Sequence, residues 1–269
     1  MPECLVDGEA RDQVPVMDRG LNYGDGLFET LGVFHGRPRW WQDHVERLAA
    51  GCQSLGLEMP PQGGLLEEVQ SVGAGAPQCV VKIVLTRAQG GRGYRPGTGG
   101  RVRRIVSAHG WPEEAEQAVQ TGLEARVCDL RLAIQPRLAG IKHLNRLEHV
   151  LAAAELEGSS AREGLLLNRE GQLVSAISAN LFLVCAGKLL TPRLDRSGVR
   201  GVLRARILRA YEGRCEARRI SRDMLFGADE VFVSNVIRGV VPLRKIDGQE
   251  FPVGPVTREL QAWVQDGAP

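Results

Sequence analysis

The chain has 269 residues, 43% of them hydrophobic and 25% charged, with a net charge of +2 and a sequence pI near 8.3. That length builds one large domain or two modest ones, and the composition is that of an ordinary globular protein. So small a basic excess gives no nucleic-acid footprint, and no apolar run approaches the roughly 20 residues that span a bilayer.

The opening MPECLVDGEA has no basic region leading into an apolar run, so no signal peptide is expected. Cys4–Gly8 reads as a short strand ending in a turn, and Leu27–Phe34 as a second strand closed by the turn His35-Gly36-Arg37-Pro38. Val45, Leu48, Ala49, Cys52 and Leu55 keep helical spacing, which predicts a helix from about Asp43 to Leu55 with Gly56 as its stop. A second helix is expected over Leu65–Val72. Strands follow at Gln78–Thr86 and Arg101–His109, with a glycine-rich loop, Arg87–Gly100, between them.

Gly110–Ala118, with Trp-Pro and an acidic run, reads as an inter-domain crossing. The expected division is therefore a small N-terminal domain over residues 1–109, a linker over 110–118 and a larger domain over 119–269. In the second half, strands are expected at Leu123–Val127, Gly164–Leu167, Asn180–Val184, Lys188–Leu190 and Glu230–Ser234, with a hairpin at Gly187-Lys188. Helices are expected at about Asn145–Glu157, Gly201–Tyr211 and Val256–Val264. Strands and helices mix without regular alternation, which predicts an α+β architecture rich in antiparallel sheet. Six scattered cysteines (Cys4, Cys52, Cys79, Cys128, Cys185, Cys215) form no CxxC pair, so they read as thiols of a reducing compartment, cytoplasmic by default, and not as a metal site.

Only four lysines occur: Lys82, Lys142, Lys188 and Lys245. Lys188 and Lys245 sit in turns and read as solvated charges. Lys82 alternates against Val81, Ile83 and Leu85, which places it on the solvated face of its strand. Lys142 stands apart, in LAGIKHLN, among small and apolar neighbours and ahead of a helix. Burial there would favour the neutral amine that nucleophilic chemistry needs.

The segment RLAGIKHLNRLEHVLA (Arg137–Ala152) resembles the catalytic-lysine segment of the fold-type IV enzymes that use pyridoxal 5'-phosphate (PLP). That family contains branched-chain and D-amino-acid aminotransferases and aminodeoxychorismate lyases. Further stretches resemble it in the family's order: RGLNYGDGLFET (Arg19–Thr30), HVERL (His44–Leu48), LTRAQGGRGYRP (Leu85–Pro96), SANLFLV (Ser178–Val184), LLTPRLDRSGVRGVLR (Leu189–Arg204) and ADEVFVSNVIRGVVPL (Ala228–Leu243). The Leu85–Pro96 loop is closer to the lyases than to the aminotransferases.

The resemblance implies a two-domain fold, with a small N-terminal α/β domain and a larger C-terminal one. It implies PLP held as a Schiff base on Lys142, which would also move the substrate's C4 proton. Arg47, otherwise an ordinary helix arginine, would hold the cofactor phosphate. The amides of Val202 and Leu203, at a helix start, and the backbone of Asn235 and Val236 would complete the phosphate cradle. Arg92 and Tyr94, near the mouth of the site, would contact a substrate carboxylate, although a plain hairpin tip is an equal reading. One departure is clear. The family's glutamate for the pyridine nitrogen stands five residues before the Asn of the NLF motif, and here Ser175 occupies that place. A hydroxyl supplies no compensating charge, so the ring is a weaker electron sink, which counts against transamination more than against elimination. The expected activity is conversion of 4-amino-4-deoxychorismate to 4-aminobenzoate and pyruvate by a homodimer. A family aminotransferase and a non-catalytic family member are the alternatives.

Overall fold

The computed structural model describes residues 3–90, 93–97 and 101–267. The chain forms two units: Met1–Pro112 joined by Ile141–Asn145, and Glu113–Gly140 with Arg146–Ala268.

The first unit contains β1 (Cys4–Val6), β2 (Glu9–Ala10), α1 (Arg19–Tyr23), β3 (Gly26–Phe34), β4 (Arg37–Pro38), α2 (Trp41–Leu55), α3 (Gln62–Gly73), β5 (Gln78–Thr86) and β6 (Arg103–His109). Its sheet is antiparallel throughout, in the order β2-β1-β6-β5-β3-β4. Alternation divides β3 cleanly. Leu27, Leu31 and Val33 join Val81, Ile83 and Leu85 of β5 against Val45, Leu48 and Cys52 of α2 and Leu65, Val69 and Val72 of α3. Burying each such side chain contributes about 1.5–3 kcal/mol. The opposite face carries Phe28, Thr30, Lys82 and Val84, which the register places side by side. Helix α2 ends where Gly56 turns left-handed at φ 61°, the conformation glycine adopts without a Cβ penalty.

The second unit contains α4 (Ala115–Thr121), β7 (Leu123–Leu132), α5 (Leu147–Ala154), β8 (Glu163–Asn168), β9 (Gln172–Ala176), β10 (Asn180–Cys185), β11 (Lys188–Pro192), α6 (Val202–Ala210), β12 (Cys215–Arg218), β13 (Ile220–Ser221), α7 (Arg222–Phe226), β14 (Glu230–Asn235), β15 (Gly239–Ile246), β16 (Gln249–Glu250) and α8 (Pro255–Asp266). Its strands run β12-β11-β10-β14-β15-β7-β8-β9-β13, with β16 paired to β15. Most neighbours are antiparallel; β11–β12, β15–β7 and β7–β8 are parallel. Leu181, Leu183, Val231 and Val233 point into one core. Phe182 and Phe232 stack on the other face, their centroids 5.0 Å apart.

Strands β3, β5 and β6 and helices α2, α3, α6 and α8 lie where periodicity places them. Strands β9 and β15 and helix α4 were not expected. Among the described residues no helix is long and apolar enough to cross a membrane.

Candidate active site

Lys142 is positioned by backbone pairing. The segment Ile141–Asn145 lies along the start of β3: Lys142 O accepts from Phe28 N at 3.0 Å, Leu144 N donates to Gly26 O at 3.0 Å, and Leu27 faces His143 as a β-bridge. The approach needs glycine at 26, because a Cβ there would sit 2.2 Å from Leu85 O and 2.8 Å from Leu144 Cδ1. Ile141 packs on the apolar core. Lys142, one residue on, faces the other way and is half-buried. Its Nζ stands 4.1 Å from the centroid of the Phe28 ring. When charged, an amine at that distance is attracted by the electron-rich ring face.

On the core side of the same strand, Glu29 is 1% exposed between two apolar neighbours. A buried carboxylate needs partners, and α2 supplies two from one face at i, i+3 spacing. His44 Nδ1 is 2.6 Å from Oε2, and Arg47 Nε donates to Oε1 at 2.7 Å while its Nη2 donates to Oε2. Burial alone would raise the Glu29 carboxyl, but the charge of Arg47 and the hydrogen bond from His44 outweigh it and hold it at about 2. Burial lowers the pKa of His44, against the pull of Glu29; the charges of Arg47 and Lys142 lower it further. His44 is therefore a neutral donor at neutral pH. The two-point grip fixes the plane of the Arg47 guanidinium.

In the second unit, Ser178 and Asn180, at the turn between β9 and β10, hold the segments that carry Val202, Leu203 and Asn235. Asn180 Oδ1 accepts from Gly201 N at 3.1 Å, and its Nδ2 donates to Val199 O at 2.9 Å. This fixes the start of α6, where Val202 and Leu203 begin the helix and Gly201 brings no capping side chain. A Cβ on Gly201 would lie 2.0 Å from Asn180 Oδ1, so glycine is required there. Arg204, buried one turn in, donates to Thr191 Oγ1 and Pro192 O and ties the helix to β11; burial lowers its pKa to about 10. The turn after β14 is held from the same side. Asn235 Oδ1 accepts from Ile237 N and Arg238 N, and Asn235 Nδ2 donates to Ser178 O. Ser234, 1% exposed and directly opposite Asn180, has a hydroxyl with no partner among the described residues.

Ser175 is buried on β9, opposite Leu166. The carboxylates of Glu170 and Glu163 are engaged by other partners. Glu170 lies at the surface and binds Arg196. Glu163, 3% exposed, accepts from Ile177 N at 3.2 Å and from Arg238 Nη2 at 2.8 Å.

Tyr94 is 87% exposed, with its ring 5.6 Å from that of Tyr23. Its loop is anchored by Arg19, which donates to Gly93 O and Tyr94 O and pairs with Asp25. The motif Arg19–Thr30 thus organises the glycine-rich loop. Arg92 lies outside the described residues.

The family profile described as "Amino-transferase class IV" matches residues 26–246. The chain belongs to that family. Within the class IV family, it is 37% identical over 264 residues to an aminodeoxychorismate lyase of Vibrio harveyi, covering 95% of this chain and 97% of that protein. It is 26% identical over 278 residues to a D-alanine aminotransferase of Bacillus licheniformis, covering 98% and 92%. The crystal structure of 4-amino-4-deoxychorismate lyase from Pseudomonas aeruginosa superposes with a TM-score of 0.93 at 42% identity, over 98% of both chains. The fold is the fold-type IV, aminotransferase-like one.

The sequence pointed to Arg47 and missed Glu29 and His44, which hold it. A signal existed: Glu29 is a lone charge on the apolar side of an alternating strand, where a charge persists only if it is paired.

Proposed function

We propose that this protein is a PLP-dependent lyase that converts 4-amino-4-deoxychorismate to 4-aminobenzoate and pyruvate, a step that supplies folate synthesis. The observation that carries this reading is the difference in likeness across the whole chain: 37% and 42% identity to lyases against 26% to the aminotransferase. The serine at 175 agrees with it, since elimination driven by aromatisation leans less on a protonated pyridine than transamination does.

The residues fit a phosphate-bearing cofactor. A helix opens on glycine without a side-chain cap, a buried hydroxyl at Ser234 lacks a partner among the described residues, and a clamped guanidinium stands at Arg47. Helix-start amides and a bidentate-capable arginine are the donors a phosphate selects. In this reading Arg47 and the amides of Val202, Leu203, Asn235 and Val236 would hold the phosphate, Lys142 would hold the aldehyde, and Ser175 would serve the pyridine nitrogen. Bound PLP supplies an electron sink for the charge left at the substrate's C4. Lys142 Nζ, freed when the substrate amine replaces it, would take the C4 proton and, as the C3–O bond breaks and the ring becomes aromatic, would give a proton to the departing enolpyruvate. Arg92 and Tyr94 would contribute at the mouth.

A homodimer suits the apolar side chains left exposed: Val16, Met17, Leu21 and Tyr23 in the first unit, and Leu147, Val150 and Leu151 in the second. Free thiols at all six cysteines suit the cytoplasm.

The test is to incubate the purified, PLP-loaded protein with 4-amino-4-deoxychorismate. Equimolar 4-aminobenzoate and pyruvate are expected. Amino-acid-dependent formation of the pyridoxamine form, without 4-aminobenzoate, would instead identify an aminotransferase.

A further inference from the structure

Arg204, the third residue of α6, is 6% exposed. Its Nε donates to Thr191 Oγ1 at 3.2 Å and its Nη2 to Pro192 O at 2.9 Å, and both acceptors are neutral. A buried charge without an opposite one is costly. Elsewhere the fold avoids that cost. The buried ions Asp18, Arg19, Glu29, Glu68 and Glu163 each meet an opposite charge, and Glu230 accepts from the amides that open α8. Arg204 meets no carboxylate among the described residues. Cys215 acts on it, but burial pushes that thiol up to about 11, so it is uncharged at neutral pH. Arg200, which also acts on it, is another cation.

The place of Arg204 adds to the imbalance. The first turn of a helix is the positive end of its dipole, and its amides need acceptors. Gly201 brings no side chain to cap α6, and its own amide is taken by Asn180 Oδ1. Directly opposite Asn180, Ser234 is 1% exposed and its hydroxyl has no partner among the described residues. An unbalanced cation, an uncapped helix start and an idle hydroxyl are all satisfied by one anion.

We propose that Arg204 is a positioning residue whose buried charge is balanced by an anion at the start of α6, and by no group of the protein. The inference rests on reading that helix start as the site of the cofactor phosphate. Docking of α6 on β11 and loading of a phosphate then favour each other, because each offsets the electrostatic cost of the other. Without an anion, Arg204 opposes the fold that its hydrogen bonds help to hold. With one, the same charge supports it. The ligand class is a phosphate monoester or inorganic phosphate.

Thermal melts of the full chain, cofactor-free, with PLP and with inorganic phosphate, are compared for wild type, R204M, R204Q and R204K. Absorbance titration gives the affinity for PLP and for phosphate-free pyridoxal. R204M replaces an unbalanced buried charge by an apolar chain of similar length, so its cofactor-free form should melt at or above wild type. PLP and phosphate should raise its Tm by less than they raise that of wild type. Its Kd for PLP should rise about tenfold or more, the worth of one charge acting across several ångströms of protein, with the Kd for pyridoxal unchanged. R204K keeps the charge and disturbs the hydrogen bonds, so it should keep most of the PLP affinity and lose Tm in both forms. R204Q serves the same comparison if R204M does not fold. If R204M and R204Q lower the Tm of both forms alike and leave the Kd for PLP unchanged, Arg204 is only a tie between α6 and β11, and the proposal is overturned. If neither PLP nor phosphate raises the wild-type Tm, the phosphate reading of the helix start fails, and the proposal with it.

Discussion

Replacing Glu29 by Gln keeps the shape of the side chain and removes the charge from the His44–Glu29–Arg47 group. A carboxyl held at about 2 instead of its ordinary 4.5 favours the folded state by about 3 kcal/mol through its ionised form. That agrees with the roughly 3–5 kcal/mol lost when one partner of a buried pair is removed. The sign follows from the direction of the shift. The stabilisation is fully present above pH 4.5 and is lost as pH falls toward 2. His44, whose pKa is also lowered, adds a loss that begins as pH falls below 6.5. For a chain of this size, 3 kcal/mol corresponds to a drop in Tm of roughly 6–12 °C. Thermal melts of wild type and E29Q at pH 7 should differ by that amount, and the gap should narrow as the pH is taken below 4.5. Melts that coincide at pH 7 would refute the reasoning, since they would mean that the buried pair is not formed.

The other predictions concern the anion cradle and the pyridine partner. R47M should weaken PLP binding about ten- to a hundredfold, the worth of a charge-assisted contact, while leaving affinity for phosphate-free pyridoxal unchanged; absorbance titration with both vitamers checks this. E29Q should weaken PLP binding in the same direction but less, because Arg47 survives with a looser orientation. G201A would place its Cβ 2.0 Å from Asn180 Oδ1, so α6 must shift; the Tm gained on adding PLP should shrink relative to wild type. S175E buries a carboxylate at a site now 5% exposed. It should lower the Tm of the cofactor-free protein by several degrees, about 1–3 kcal/mol of desolvation, and enlarge the stabilisation by PLP. Differential scanning of both forms measures each effect.

Much of the frame was legible because it rests on short-range pattern. Period-two alternation located β3 and β5, and glycine at 56 closed α2. The missed strands have physical reasons. The sequence of β15 contains Pro242, which argues against a strand between two others, yet it pairs with β14 and β7. Strand β9 is a five-residue run buried over most of its length, without alternation to report it. Lys142 was found by resemblance, but its support was not. Nothing in LAGIKHLN announces that five residues return to the first unit and pair with β3, because that pairing is long-range and made by backbone atoms. Lys82 was read correctly as facing away from the core. That this face also carries Lys142 depends on the same return of the chain.

The most direct test of the account is to reduce the PLP-loaded protein with borohydride, digest it and find the peptide that carries the pyridoxyl group. The account predicts a visible absorbance band that collapses on reduction and a single label on Lys142, with Lys82 unmodified. A label on Lys82, or no covalent cofactor in a protein that still releases 4-aminobenzoate, would contradict it.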